Sequence, residues 1–130
     1  MTATTFTALA VAGGAGAACR FVLDDLVRRQ TRGSLPWATI LINLTGSMLL
    51  GLITGLVAGG LLPSALLLIA GTGFLGGYTT FSTASFETIR LLQQGKPLLS
   101  AINGIGVAVA ATALVGAGLA IGMAAAAPAY

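Results

Sequence analysis

Residues Gly71–Arg90 read GTGFLGGYTTFSTASFETIR. Glycines at 71, 73, 76 and 77 sit in an apolar run, and hydroxyls follow at Thr79, Thr80, Ser82, Thr83 and Ser85. No charge occurs between Arg32 and Glu87, so this polar, glycine-rich knot lies within continuous apolar sequence. In hydrocarbon, a broken helix persists only where protein or a watery path satisfies its freed amides and carbonyls. Each glycine lowers helical preference by about 1 kcal/mol relative to alanine. Together they predict an unwound segment near residues 73–80.

The surroundings are those of a membrane protein. Charged residues make up 7% of the chain and mean hydropathy is +0.98, against roughly 25% charge in a soluble domain. A spanning helix needs about 20 apolar residues, so the expected fold is all-α, a single domain of four transmembrane helices. The six basic residues are too few and too dispersed for a phosphate-binding stripe, which argues against a nucleic-acid partner. One cysteine and no histidine exclude an intramolecular disulfide and Cys/His metal clusters. They also leave no nucleophile–base constellation for an enzyme.

The spans are expected at about 5–23, 37–60, 64–94 with the break inside, and 98–123. The first carries Arg20 near its end, and Asp24 to Arg32 read as loop charges. An arginine at membrane depth costs roughly 2.5–3.5 kcal/mol, so Arg20 either faces a watery vestibule or snorkels to the headgroups. In the second span Thr39, Asn43, Ser47, Gly51, Gly55 and Gly59 recur every four residues and trace one helical stripe. Its glycine half suits close helix packing. Asn43 either bonds a neighbouring helix or presents amide donors to a solute path.

All six Lys and Arg residues fall on the side of the first and third connections; the terminal side carries none. By the positive-inside rule the chain inserts one way, with both termini outside. At the knot, a resumed helix beginning near Thr79–Phe81 offers a positive dipole end to an anion. Phe81 adds the positive edge of its ring. Freed carbonyls suit a hard cation such as sodium. The residues alone point to an ion-conducting or ion-binding membrane protein, with an anion favoured.

The motifs go further. Gly13-Gly14-Ala15-Gly16-Ala17 with Arg20, Pro36-Trp37-Ala38-Thr39, Asn43-Leu44-Thr45-Gly46-Ser47 and Gly76-Gly77-Tyr78-Thr79-Thr80-Phe81-Ser82-Thr83 together resemble the small fluoride channel family, Fluc or CrcB, over nearly the whole chain. The resemblance implies a passive, fluoride-selective channel of the cell membrane that lets cytoplasmic fluoride out. It implies an antiparallel dimer of four-helix subunits with a structural sodium ion at its centre. The sodium would be held by the main-chain carbonyls of Gly77 and Thr80. Asn43 and Phe81 correspond to the family's pore residues, Ser82, Thr83 and Thr112 are further pathway candidates, and Arg20 corresponds to the arginine that ends the first span.

Two departures accompany the resemblance. The family's second pore phenylalanine is replaced by Ala84, and the fourth span has only Thr112 where hydroxyls should recur at four-residue spacing. The one-sided charge also disagrees with a homodimer whose subunits insert both ways. Pairing with a separately encoded sister of opposite orientation is therefore expected. The alternative is a small four-helix drug or ion transporter subunit. That reading needs a membrane-embedded carboxylate, and Glu87, at helical spacing from Arg90, reads as an exposed ion-pair partner.

Overall fold

The computed structural model describes residues 2–127 and is all-helical there, with four segments long and apolar enough to cross a membrane. These are α1 (Ala3–Gln30), α2 (Trp37–Ala58), a third span that breaks into α3 (64–78) and α4 (Phe81–Gln93), and α5 (Pro97–Ala126). Only 6% of the most apolar window of α1, and of α5, is buried within the subunit. Surface that apolar takes lipid or another subunit as its solvent.

α1 starts on a Thr2 cap whose hydroxyl accepts the Thr5 N–H at 3.2 Å. It runs past residue 23, so Asp24–Gln30 is helix and not loop. Asp24–Arg28 and Asp25–Arg29 pair across one turn at 2.7 and 2.8 Å, and such pairs support a helix end. Arg28 and Arg29 also meet the negative end of the helix dipole.

α2 is the central element and packs tightly against the second half of α5. A Cβ on Gly51 would run into the carbonyl of Val115, and one on Gly118 into that of Met48. The glycine ladder of α2 thus meets a matching pair, Gly118 and Gly122, on α5. Between lipid-soluble helices, this close backbone approach supplies association by dispersion. α1 holds α3 the same way, Gly77 resting on the Gly13 carbonyl and Gly16 on that of Phe74. A small core of Ile42, Leu75 and Tyr78, flanked by Leu23, Ile53 and Phe74, sits where α1, α2 and α3 meet.

The break is narrower than the glycines predict. Residues 67–75 widen into π-type turns, Gly76–Tyr78 return to α geometry, and only Thr79 and Thr80 are extended. Backbone groups in hydrocarbon stay satisfied by adjusting the turn before abandoning it. Thr80 then caps α4, its hydroxyl accepting the Thr83 N–H at 3.2 Å. A second π-type stretch, Ile102–Gly106, lies inside α5.

The first and third connections lie at the same end. Lys96 Nζ donates to Ser34 Oγ at 2.6 Å, and Arg28 reaches Glu87. Arg28, Arg90 and Lys96 border one cavity at this end of the bundle.

Candidate functional site

The crossover at Thr79–Thr80 is held by Asn43. The Thr80 N–H donates to Asn43 Oδ1 at 2.8 Å, and Asn43 Nδ2 donates to the Thr80 carbonyl at 2.9 Å. In an unbroken helix the Thr80 N–H would belong to the Gly76 carbonyl, so this clasp releases that carbonyl. Thr79 closes the turn before the break, its N–H and its hydroxyl both donating to the Leu75 carbonyl at 2.9 Å. Tyr78 is buried and its hydroxyl shares a 3.0 Å hydrogen bond with Thr45. Asn43 therefore serves as interhelical glue, with its second Nδ2 hydrogen left over.

Two cavities meet at this crossover, and a third lies beyond them at the basic end. A groove of about 810 Å³ is lined by Asn43, Thr80, Phe81, Ala84, Ser85 and Asn103 among others. Its walls are largely small or apolar, and the Phe81 ring is 88% exposed beside it. A vestibule of about 280 Å³ lies on the other side, lined by Arg20, Asp24, Arg28, Thr39, Thr80 and Thr83. A rim cavity of about 330 Å³ opens at the basic end, with Arg28, Ser34, Glu87, Arg90 and Lys96 in its wall. Thr80 is common to groove and vestibule; Arg28 is common to vestibule and rim.

Arg20 takes the vestibule side of its two sequence readings. Its Nε and the Thr39 hydroxyl are buried without a protein partner, so donors are concentrated there. Ser82 and Thr112 are not brought to the path within this subunit, since neither lines any of the three cavities. Ser82 is exposed, its hydroxyl 3.4 Å from that of Thr80. Thr112 is exposed and donates to the Ala108 carbonyl at 2.9 Å. Ala108 and Ala111 face the groove instead, because neighbouring helical positions are rotated by about 100°.

Glu87 also departs from its sequence reading. It is 8% exposed, and its Oε1 accepts from Arg28 Nη2 of α1 at 2.9 Å rather than from Arg90. Asn103, which no motif in the sequence singled out, is 2% exposed. It donates to the Ala84 carbonyl at 3.2 Å and to the Thr88 hydroxyl at 2.8 Å, which anchors α4 to α5 behind the groove. Among the described residues no cluster of His, Cys, Asp or Glu could hold a metal ion. Main-chain carbonyls at the break are hard oxygen donors. Thr80's is shared with Asn43, and Gly77 lies in the contact with α1.

Residues 7–123 match the family model described as CrcB-like protein, Camphor Resistance (CrcB). Fluoride-specific ion channel FluC 1 of Leifsonia xyli subsp. xyli is 47% identical over 128 residues, covering 98% of this chain and 93% of the relative. FluC 2 of Mycobacterium tuberculosis H37Rv is 42% identical, covering 82% and 86% respectively. FluC of Maridesulfovibrio salexigens is 36% identical, covering 88% and 91%. With four apolar helices, a clasped crossover in the third span and a match along almost its whole length, the chain belongs to the CrcB (FluC) family of membrane ion channels.

Proposed function

We propose that this chain is a subunit of a fluoride-selective passive channel that lets cytoplasmic fluoride leave through the plasma membrane and so lowers its toxicity. The observation that carries this reading is the Asn43–Thr80 crossover, with Phe81 on one side and the Arg20 vestibule on the other. A small, strongly hydrated anion is drawn by donors and cations, not by acidic rings. The route offers Arg20, Thr39 and Thr83, then the amide of Asn43 and the ring edge of Phe81. The named relatives, each a fluoride-specific ion channel, support fluoride as the anion. The α4 carboxylate, Glu87, is tied to Arg28, which disfavours the alternative of a small proton-coupled transporter.

The groove is the face we assign to a second, antiparallel subunit. With all its basic residues on the side of the first and third connections, the chain inserts with both termini outside. Its partner is then a sister chain of opposite orientation, which supplies the ring missing at Ala84. At the dimer centre we place a structural sodium ion on main-chain carbonyls of the break, with Gly77 and Thr80 as the assigned ligands. Neutral carbonyls where a membrane helix is interrupted are a known donor set for sodium, and Thr80's retains a lone pair beyond Asn43. The ion would supply a fixed positive charge at the crossover.

The test is fluoride efflux from liposomes holding this chain alone and with a candidate sister. Efflux that falls in Asn43→Asp and Phe81→Ile supports the reading, and chloride flux equal to fluoride flux overturns the selectivity. Conduction by the lone chain, with tagged termini on both faces, overturns the sister pairing. A melting temperature unchanged when sodium is replaced by N-methylglucamine overturns the ion.

A further inference from the structure

The three cavities form a series, and its outer junction is a single side chain. Arg28 lines both the rim cavity and the vestibule, as Thr80 lines both the vestibule and the groove. An anion passing from the basic mouth toward Asn43 by this series meets Arg28 before Arg20. The guanidinium is not idle. Its Nε donates to Asp24 Oδ2 at 2.7 Å and its Nη2 to Glu87 Oε1 at 2.9 Å. It thereby joins α1 to α4, while its side chain stays 49% exposed. A guanidinium has five N–H donors, so two carboxylates leave part of the fork free.

We propose that Arg28 is an entry-selectivity residue that passes a small inorganic anion from the rim cavity into the vestibule, in competition with Asp24 and Glu87 for its donors. The inference rests on the channel reading above. The two carboxylates hold the cation in the wall between the cavities and lower its hold on anions. An anion too strongly bound would not leave, and conduction requires binding weak enough for release. Glu87 fits this role because it is fixed. It is buried on α4, with its Oε2 unpartnered, so it competes from a constant position. Arg90 and Lys96 also border the rim, but neither lines the vestibule.

A purely structural tie between α1 and α4 makes a different prediction from a competing pair, and the two are separable by sign. Initial fluoride flux is measured against fluoride concentration in liposomes holding the conducting assembly, for Arg28→Gln, Arg28→Lys and Glu87→Gln. Competition predicts that Glu87→Gln lowers the half-saturating concentration about threefold and Arg28→Gln raises it about fivefold, in keeping with exposed charge-pair energies. Arg28→Lys should fall between, and the maximal rate should stay within about twofold in all three. A tie breaks equally from either side, so a shift of Arg28→Gln and Glu87→Gln in the same direction overturns the proposal, as does no shift in either.

The fluoride-dependent rise in melting temperature of the purified protein gives a second readout. It should be larger in Glu87→Gln and smaller in Arg28→Gln than in the wild type, and equal rises overturn the proposal. Absence of flux in the wild type, alone and with a sister, counts against the channel reading itself. The melting shifts still decide the role of Arg28 in that case.

Discussion

Asn43 and Thr80 hold each other twice, side-chain amide against main-chain amide, at 2.8 and 2.9 Å across a separation of 37 residues. The third span breaks there because α2 offers the Thr80 backbone a partner as good as its own helix. Asn43→Asp keeps the acceptor for the Thr80 N–H but turns the second contact into oxygen against carbonyl. We expect a loss of roughly 1–3 kcal/mol, the usual consequence of a buried polar group left without its bond. A fall in melting temperature, with fluoride flux reduced at least about tenfold, is the outcome to look for.

The α2–α5 contact predicts a contrast among glycines. Gly51→Ala drives a methyl into the Val115 carbonyl, and overpacking of this kind costs about 1–3 kcal/mol. Gly116 lies on the same helix as Gly118 but has open space around it. There, Gly116→Ala should stabilise by about 0.5–1 kcal/mol, since the helix interior gains an alanine. Paired thermal melts of the purified variants in one detergent give both signs.

Asn103→Leu removes two donors from the back of α4. With the Ala84 carbonyl and the Thr88 hydroxyl both losing Nδ2, α4 should loosen from α5 by about 1–2 kcal/mol, the scale of interhelical hydrogen bonds in membranes. Amide exchange should rise in Phe81–Gln93 and stay unchanged in α2, where Asn103 makes no hydrogen bond.

Ala84→Phe restores a ring on the groove wall. If a sister subunit supplies that ring in the native assembly, the variant should tolerate loss of the corresponding ring in the sister. The check is fluoride efflux from liposomes holding the variant with a ring-deleted sister, expected to exceed severalfold that of the parent with the same sister.

How far the chain could be read before folding differs by feature. The four spans were legible because Pro36, Pro63 and Pro97 mark helix starts between long apolar runs. The Gly51–Gly55 ladder was legible because a four-residue period needs no knowledge of its partner. The break was only half legible. Glycine lowers helical preference in water, but in lipid residues 67–75 keep their turns by widening them, and the interruption moves to the pair that Asn43 can reach. The extension of α1 to Gln30 was missed because Asp24–Arg28 and Asp25–Arg29 looked like loop charges rather than rungs of one helix. Glu87–Arg28 could not be read at all: 59 residues separate them, and Arg90 stood nearer as a plausible mate. Among the candidate pathway residues, the motif brought Asn43, Phe81 and Thr83 to the cavities but not Ser82. Thr112 fell one position away from the groove-facing row.

The widened turns have a genetic consequence. A π turn is an α turn carrying an additional residue, so residues 67–75 and Ile102–Gly106 behave like single-residue insertions that the helices have absorbed. Losing one residue from the first stretch would let it relax to regular α geometry and leave the downstream helix in phase, whereas the same loss from the regular turns of α2 would swing everything beyond it by about 100°. Thr80 would then still face Asn43, and Phe81 the groove. These two stretches should accept a single deletion that no other part of a span accepts, while their buried Gly73, Leu75 and Asn103 resist substitution.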